Sequence, residues 1–157
     1  LTEIRREPKL EAIVDDIVDD IERGRMKDGY FNSCYQTQMP EKRFLFRPNH
    51  ELYCAGHLIE AAIAYDKATG KSKFLNPMKD YASLIKKVFM EEKSAGFTSP
   101  GHEEIELALI KLYDYTKESQ WLDLAKFFID ERGVHEKEEQ GDSNIQDHMP
   151  VRSQETA

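Results

Sequence analysis

The sequence predicts an all-α fold built of helical hairpins, and three observations carry that prediction. Apolar residues recur at helical spacing in five separate segments. No strand pattern competes with them. The chain also repeats itself. Thr69-Gly-Lys-Ser-Lys-Phe-Leu75 lines up with Thr116-Lys-Glu-Ser-Gln-Trp-Leu122, from position 69 to position 116, an offset of 47. The same offset pairs Ala61 with Ala108, Ile63 with Ile110, Lys79 with Lys126 and Tyr81 with Phe128. Upstream, Pro48-Asn-His-Glu51 matches Pro100-Gly-His-Glu103 at an offset of 52, so a small indel lies between. A period in this range signals stacked helical hairpins, either an open solenoid or a closed ring.

The first helix opens at Pro8, which suits a first turn, and carries Leu10, Ile13, Val14, Ile17, Val18 and Ile21 to a stop at Gly24. Residues 27–49 are irregular and rich in aromatic and polar side chains, and read as a long ordered loop of the functional kind. The second helix is expected from His50 to Ala68, with Asn49 as N-cap and Gly70 as stop. It is apolar almost all round, the mark of a helix buried on most sides. The third, from Pro77 to Glu91, is amphipathic, with Met78, Tyr81, Leu84, Ile85, Val88 and Phe89 on one face. The fourth begins at His102 or Glu103. The fifth runs from Gln120 to Glu131, with Ser119 as N-cap and Gly133 as stop. Residues 134–146 are acidic and aperiodic, and are expected to form a variable surface loop.

The chain has 157 residues, 39% of them hydrophobic and 33% charged, with a net charge of -8. That is one domain's length, enough to bury a core. The acidity argues against a nucleic-acid partner. No apolar run approaches the roughly 18 residues that read as a membrane span. Two cysteines without a CxxC make no disulfide framework, so a reduced, cytoplasmic setting is expected.

The repeat places both Pro-X-His-Glu motifs at the N-termini of equivalent helices, at one end of the assembly. His50 and His102 are therefore the candidate ligand-binding residues. The helix dipole disfavours imidazolium there, and a neutral imidazole offers one donor and one acceptor, which suits a hydroxylated ligand. The alternative is that each only caps its helix. His50, Cys54 and His57 share a helix face at i, i+4 and i+7, so zinc is worth weighing. The string His50-Glu-Leu-Tyr-Cys54 is not HExxH, however, and the face continues into Ala61 and Ala64. Packing is the favoured reading of Cys54 and His57, and no metal ligand is assigned. Glu51, Glu103 and Glu104 are first-turn acids that the dipole favours. Glu60 and Glu106 sit deeper and need partners, for which Arg43 or Arg47 is available. Tyr30, Phe31, Tyr35, Phe44 and Phe46 form either a sugar-stacking wall or the core of the loop.

The stretches DGYFNSCYQ, EKRFLFRPNHELYCAGHLIEAAIAYDKATGK, PGHEEIELALIKLYDYTKE, WLDLAKFFIDERG and QDHMPVRSQ resemble glycoside hydrolase family 127, the β-L-arabinofuranosidase family. The resemblance covers nearly the whole chain, and residues 134–146 depart most from it. It implies part of an (α/α)6 barrel, an incomplete toroid with the active site at one end. It also implies exo-acting, retaining chemistry with a cysteine nucleophile, a glutamate acid/base and a zinc held by cysteines and a glutamate. Cys34 and Cys54 do not match the family's zinc cysteines, so zinc is expected only in the full-length protein, through residues beyond Ala157. The family's next string, a Gly-His-Ala-Val-Arg helix, is expected just after that point, and its first hairpin before Leu1.

The resemblance places a sugar-hydroxyl role on His50 and His102. The expected function is the sugar-binding wall of a retaining exo-glycosidase acting on an L-arabinofuranoside-type carbohydrate. Alone, the chain is expected to be inactive, weakly stable or self-associating through exposed apolar helix faces. The alternative is a non-catalytic helical repeat module that binds a protein or carbohydrate partner.

Overall fold

The computed structural model describes residues 7–132, so the expected loop at 134–146 and the stop at Gly133 lie outside the described residues. Among the described residues the fold is all-α, with no strand. Six α-helices follow in order: α1 Pro8–Gly24, α2 Ser33–Gln38, α3 Glu51–Thr69, α4 Leu75–Lys86, α5 Glu104–Thr116 and α6 Ser119–Glu131. The four larger helices after α1 form two hairpins, α3 with α4 and α5 with α6, and α3 packs against α5. This is the hairpin architecture the sequence predicts.

The repeat is reproduced bond for bond at the turns. Thr69 Oγ1 donates to the Tyr65 carbonyl and accepts from Lys71 N–H. Thr116 Oγ1 donates to the Leu112 carbonyl and accepts from Glu118 N–H. Gly70 closes α3 in the left-handed region, at φ 72°, and Lys117 closes α5 the same way, at φ 61°. One short sequence therefore encodes one helix stop twice.

The core runs between the hairpins. Ile59, Met78, Tyr81, Ile85, Ile105, Leu109, Leu112, Trp121, Leu124 and Phe128 are wholly buried. Phe89 joins Phe44, Phe97 and Phe128 through edge-on rings. Each such side chain contributes about 1.5–3 kcal/mol of transfer free energy. The amphipathic α4 continues as a single π turn, Lys87–Glu91, which completes the helix expected to reach Glu91.

The segment 27–49 is less of a loop than its sequence suggests. Asn32 Oδ1 accepts from Tyr35 N–H and caps α2, and 3-10 turns follow at Pro40–Lys42 and Arg47–Asn49. Tyr30, Tyr35 and Phe44 are buried, so they are the core of the segment rather than a stacking wall. Phe46 alone of the large set stays well exposed, at 47%.

Helix α1 makes ion pairs and hydrogen bonds to the rest as well as packing against it. Asp15 accepts hydrogen bonds from Lys71 Nζ and the Tyr65 hydroxyl, which hold its carboxyl down at about 2. Lys73 Nζ donates to Asp19 at 2.7 Å. Val18 is buried, yet Leu10, Ile13 and Ile17 are more than half exposed. Leu107 and Ile110 on α5, and Leu122 and Ile129 on α6, are exposed as well. Apolar faces are thus open at both ends of the hairpin stack.

Candidate functional site

Helices α3 and α5 run parallel, and three cross-contacts fix their register. His50 meets His102 at the N-terminal ends, Glu60 accepts from Lys111 Nζ midway, and Asp66 accepts from the Tyr115 hydroxyl near the C-terminal ends. The two histidines predicted to share one end therefore touch. Their Nε2 atoms are 3.1 Å apart, and their rings lie with centroids 5.0 Å apart at 28°. For that contact to be a hydrogen bond, one ring must donate and the other accept.

The backbone at His50 is not the expected one. Asn49 does not cap α3; its side-chain amide donates to the Tyr35 hydroxyl. His50 itself occupies the N-cap position, in the left-handed region at φ 59°, ψ 25°, with no side-chain cap bond. A non-glycine residue there costs of order 1 kcal/mol or more and persists only where its surroundings impose it. The next residue is anchored in the core. Glu51 is 1% exposed and accepts hydrogen bonds from the Tyr30 hydroxyl and from Phe44 N–H at 2.8 Å. Burial pushes its carboxyl up, and the Tyr30 hydrogen bond works against that. Glu51 is therefore more than a first-turn acid, because it ties the 27–49 segment to the base of His50.

The second copy is built differently. Glu103 is exposed and lies 3.6 Å from Arg132. The buried acid there is Glu106, which accepts from Arg132 Nη2 at 3.0 Å. Neither Glu60 nor Glu106 finds Arg43 or Arg47, as the sequence left open; their partners are Lys111 and Arg132, while Arg43 pairs with Asp28.

Around the histidines lies a shallow depression lined also by Arg47, Tyr53, Phe97 and Pro100. Tyr53 was missed in the sequence. Its ring is edge-on to His50, His102 and His57, at 5.9, 5.5 and 4.5 Å. Its position three residues after His50, on the same helix face, is the signal that points to it.

The zinc triad weighed from the sequence does not assemble. His57 turns to two carboxylates instead, 3.1 Å from Glu104 and 3.8 Å from Glu60, with its three ligand atoms within 4.8 Å of one another. Cys54 stays outside this group; desolvation and the nearby Glu51 carboxylate hold its thiol above the usual value, which opposes a metal-binding thiolate. Cys34 is also free and exposed. Among the described residues, the cysteines thus do not fit a zinc site of cysteines and a glutamate. The spacing His57-x-x-Glu60 was legible; the arrival of Glu104 from α5 was not.

Comparison with known proteins agrees with the helical fold. Residues 1–157 match the family profile described as β-L-arabinofuranosidase, GH127 catalytic domain. A non-reducing end β-L-arabinofuranosidase of Bifidobacterium longum subsp. longum is 40% identical over 132 residues, 81% of this chain. The chain spans about a fifth of that relative, 20% of its length. A crystal structure of a GH127 β-L-arabinofuranosidase from Geobacillus stearothermophilus T6 superposes with a TM-score of 0.79 at 45% identity, covering 92% of this chain and 22% of that one. A second GH127 β-arabinofuranosidase structure gives a TM-score of 0.81 at 31% identity, covering 94% of this chain and 24% of that one. With matching helices, matching hairpins and a profile match along its whole length, the chain belongs to the GH127 β-L-arabinofuranosidase catalytic-domain family.

Proposed function

We propose that this chain supplies the sugar-binding wall of a retaining, exo-acting glycoside hydrolase that takes an L-arabinofuranoside-type substrate. The observation that carries the proposal is the meeting of His50 and His102 across two parallel helices. With Nε2 of one ring donating to Nε2 of the other, the two Nδ1 atoms carry one N–H donor and one lone pair between them, beside one small depression. A sugar hydroxyl needs both. Tyr53 presents an aromatic flank beside them, suited to the C–H face of a sugar ring. The activity in the names of the similar proteins supports the choice of sugar.

The role of this chain is binding and orientation. His50 is fixed by its backbone and by Glu51, so it does not have to be ordered when the sugar arrives. The nucleophile, the acid/base and the zinc of the family belong, in this reading, to other parts of the full-length protein. The 157-residue chain alone is then inactive, and its exposed apolar helix faces are surfaces the remaining hairpins cover.

The test uses the full-length parent protein. It should release L-arabinose from a β-L-arabinofuranoside. His50→Ala and His102→Ala should each lower kcat/KM by about 10- to 100-fold, the effect of about 1–3 kcal/mol for a lost hydrogen bond. Unchanged kinetics in both variants would sink the assignment. Sugar binding without turnover by the parent would favour a non-catalytic repeat module.

A further inference from the structure

We propose that His57 Nδ1, Glu60 Oε2 and Glu104 Oε1 form a binding site for a divalent transition cation of the zinc class, in the groove between α3 and α5. The inference does not depend on the sugar reading. It also concerns a different ligand set from the family's cysteine-held zinc, since neither cysteine takes part.

The three donor atoms lie within 4.8 Å of one another, and the two separations from His57 are close to those around one ion. His57 Nδ1 stands 3.1 Å from Glu104 Oε1 and 3.8 Å from Glu60 Oε2. Zinc bonds of about 2.1 Å to nitrogen and oxygen put tetrahedral ligand atoms roughly 3.4 Å apart, between those two separations. One histidine and two carboxylates fill three positions and leave the fourth for water, the pattern of an open zinc site. The i, i+3 pair on α3, completed from a neighbouring helix, is the arrangement by which helical bundles hold metals.

Two further observations point to a ligand. Glu104 Oε1 is buried with no hydrogen-bond donor aligned on it, although the imidazole nitrogen is close. A buried carboxylate oxygen without a donor is costly, and a cation between it and Nδ1 would satisfy both atoms. The approach of Glu104 is also built in. A Cβ on Gly56 would stand 2.8 Å from Glu104 Cγ and 3.1 Å from its backbone carbonyl carbon and oxygen. Glycine at 56 is what lets the first turn of α5 bring Glu104 against α3.

His57 is half exposed, so an ion can reach the site from solvent. The neighbouring charge is Lys111, whose Nζ contacts Glu60 Oε1, and the Glu60 and Glu104 carboxyls share a hydrogen bond that the ion would replace. To coordinate, His57 must offer the Nδ1 lone pair, with its proton on Nε2. A neutral ring with its proton on Nδ1 reaches that form by tautomerising, with no net loss of a proton, and an imidazolium releases its Nδ1 proton to solvent as the ion binds.

The experiment is titration of the 157-residue chain with Zn²⁺ by calorimetry and with Co²⁺ by visible absorption. One equivalent should bind, with a Co²⁺ spectrum of a low-coordinate N/O site. His57→Ala and Glu104→Gln should each weaken binding roughly tenfold or more. Lys111→Met, which frees Glu60 from its ammonium, should tighten it, an effect that partial misfolding would not produce. His50→Ala should leave it unchanged. No binding in the wild-type chain would overturn the proposal. So would binding that survives in His57→Ala, binding lost in His50→Ala or Cys54→Ala, or binding no tighter in Lys111→Met.

Discussion

The two ends of the hairpins themselves, the turn end and the histidine end, treat the internal repeat in opposite ways. At the turn end, the Thr69–Lys71 and Thr116–Glu118 segments make the same two side-chain bonds and the same left-handed stop. At the other end, the matching motifs Pro48-Asn-His-Glu51 and Pro100-Gly-His-Glu103 diverge. Glu51 is buried and anchors a long segment, whereas Glu103 is exposed. His50 is held in the left-handed region, and His102 is not among the residues with positive φ. The repeat is kept where it only closes helices. It is broken where the two copies must bring different atoms to one place. Sequence symmetry locates the candidate site, and the departure from symmetry describes its geometry.

The sharpest way to break this comparison is to remove the two motif glutamates in turn. Glu51→Ala leaves the Tyr30 hydroxyl and Phe44 N–H without an acceptor inside the core. It should cost about 3 kcal/mol, read as a lower urea midpoint. Glu103→Ala should cost less than about 1 kcal/mol, because Glu103 is exposed and the buried Arg132 keeps its pairing with Glu106. Equal losses would mean that the two copies of the motif are not differentiated.

Next in size is Gly56→Ala, in which the new Cβ meets backbone atoms of Glu104. It should cost about 1–3 kcal/mol and separate the N-terminal ends of α3 and α5, measurable as a loss of the contact between the His50 and His102 rings.

At the turn end the prediction has opposite signs at equivalent positions. Gly70→Ala should destabilise by about 1 kcal/mol, because alanine pays for the left-handed backbone that glycine adopts freely. Lys117→Gly should stabilise by a few tenths to about 1 kcal/mol for the same reason. Thermal midpoints that move in the same direction would end the equivalence of the two turns.

The smallest effect is the pH dependence. Burial raises the carboxyls of Glu51 and Glu106, so the folded chain holds those protons more tightly than the unfolded one. Their contribution to stability is greatest below the ordinary value of 4.5 and is lost as pH rises through the raised values. Asp15 acts in the opposite sense. Its carboxyl is lowered from 3.8 to about 2, so its contribution is present above 3.8 and is lost as pH falls through about 2. Denaturation midpoints measured from acid to neutral pH should show the fall on the alkaline side flatten in Glu51→Gln.

Much of this was legible in the sequence. All five expected helices form close to their expected bounds, because periodicity, Pro8, Gly24 and Gly70 are local signals. The coming together of His50 and His102 was legible too, through the repeat. What escaped was set by contacts between distant segments. Asn49 reads as an N-cap, but Tyr35 claims its amide. Glu60 and Glu106 find Lys111 and Arg132, one of them on the next helix of the stack and the other just past α6. The short helix at 33–38 carries a local signal, Asn32 as cap, that its aromatic and polar surroundings obscured. His57 reads as packing until Glu104 arrives from α5.

The central claim is that His50 and His102 act as one binding unit because two parallel helices bring them into contact. A double-mutant cycle on kcat/KM in the full-length protein tests it most directly, with His50→Ala, His102→Ala and the pair. The account predicts strong single effects and a double variant little worse than either single, a coupling of about 1 kcal/mol or more. Additive losses, or no loss at all, would contradict it.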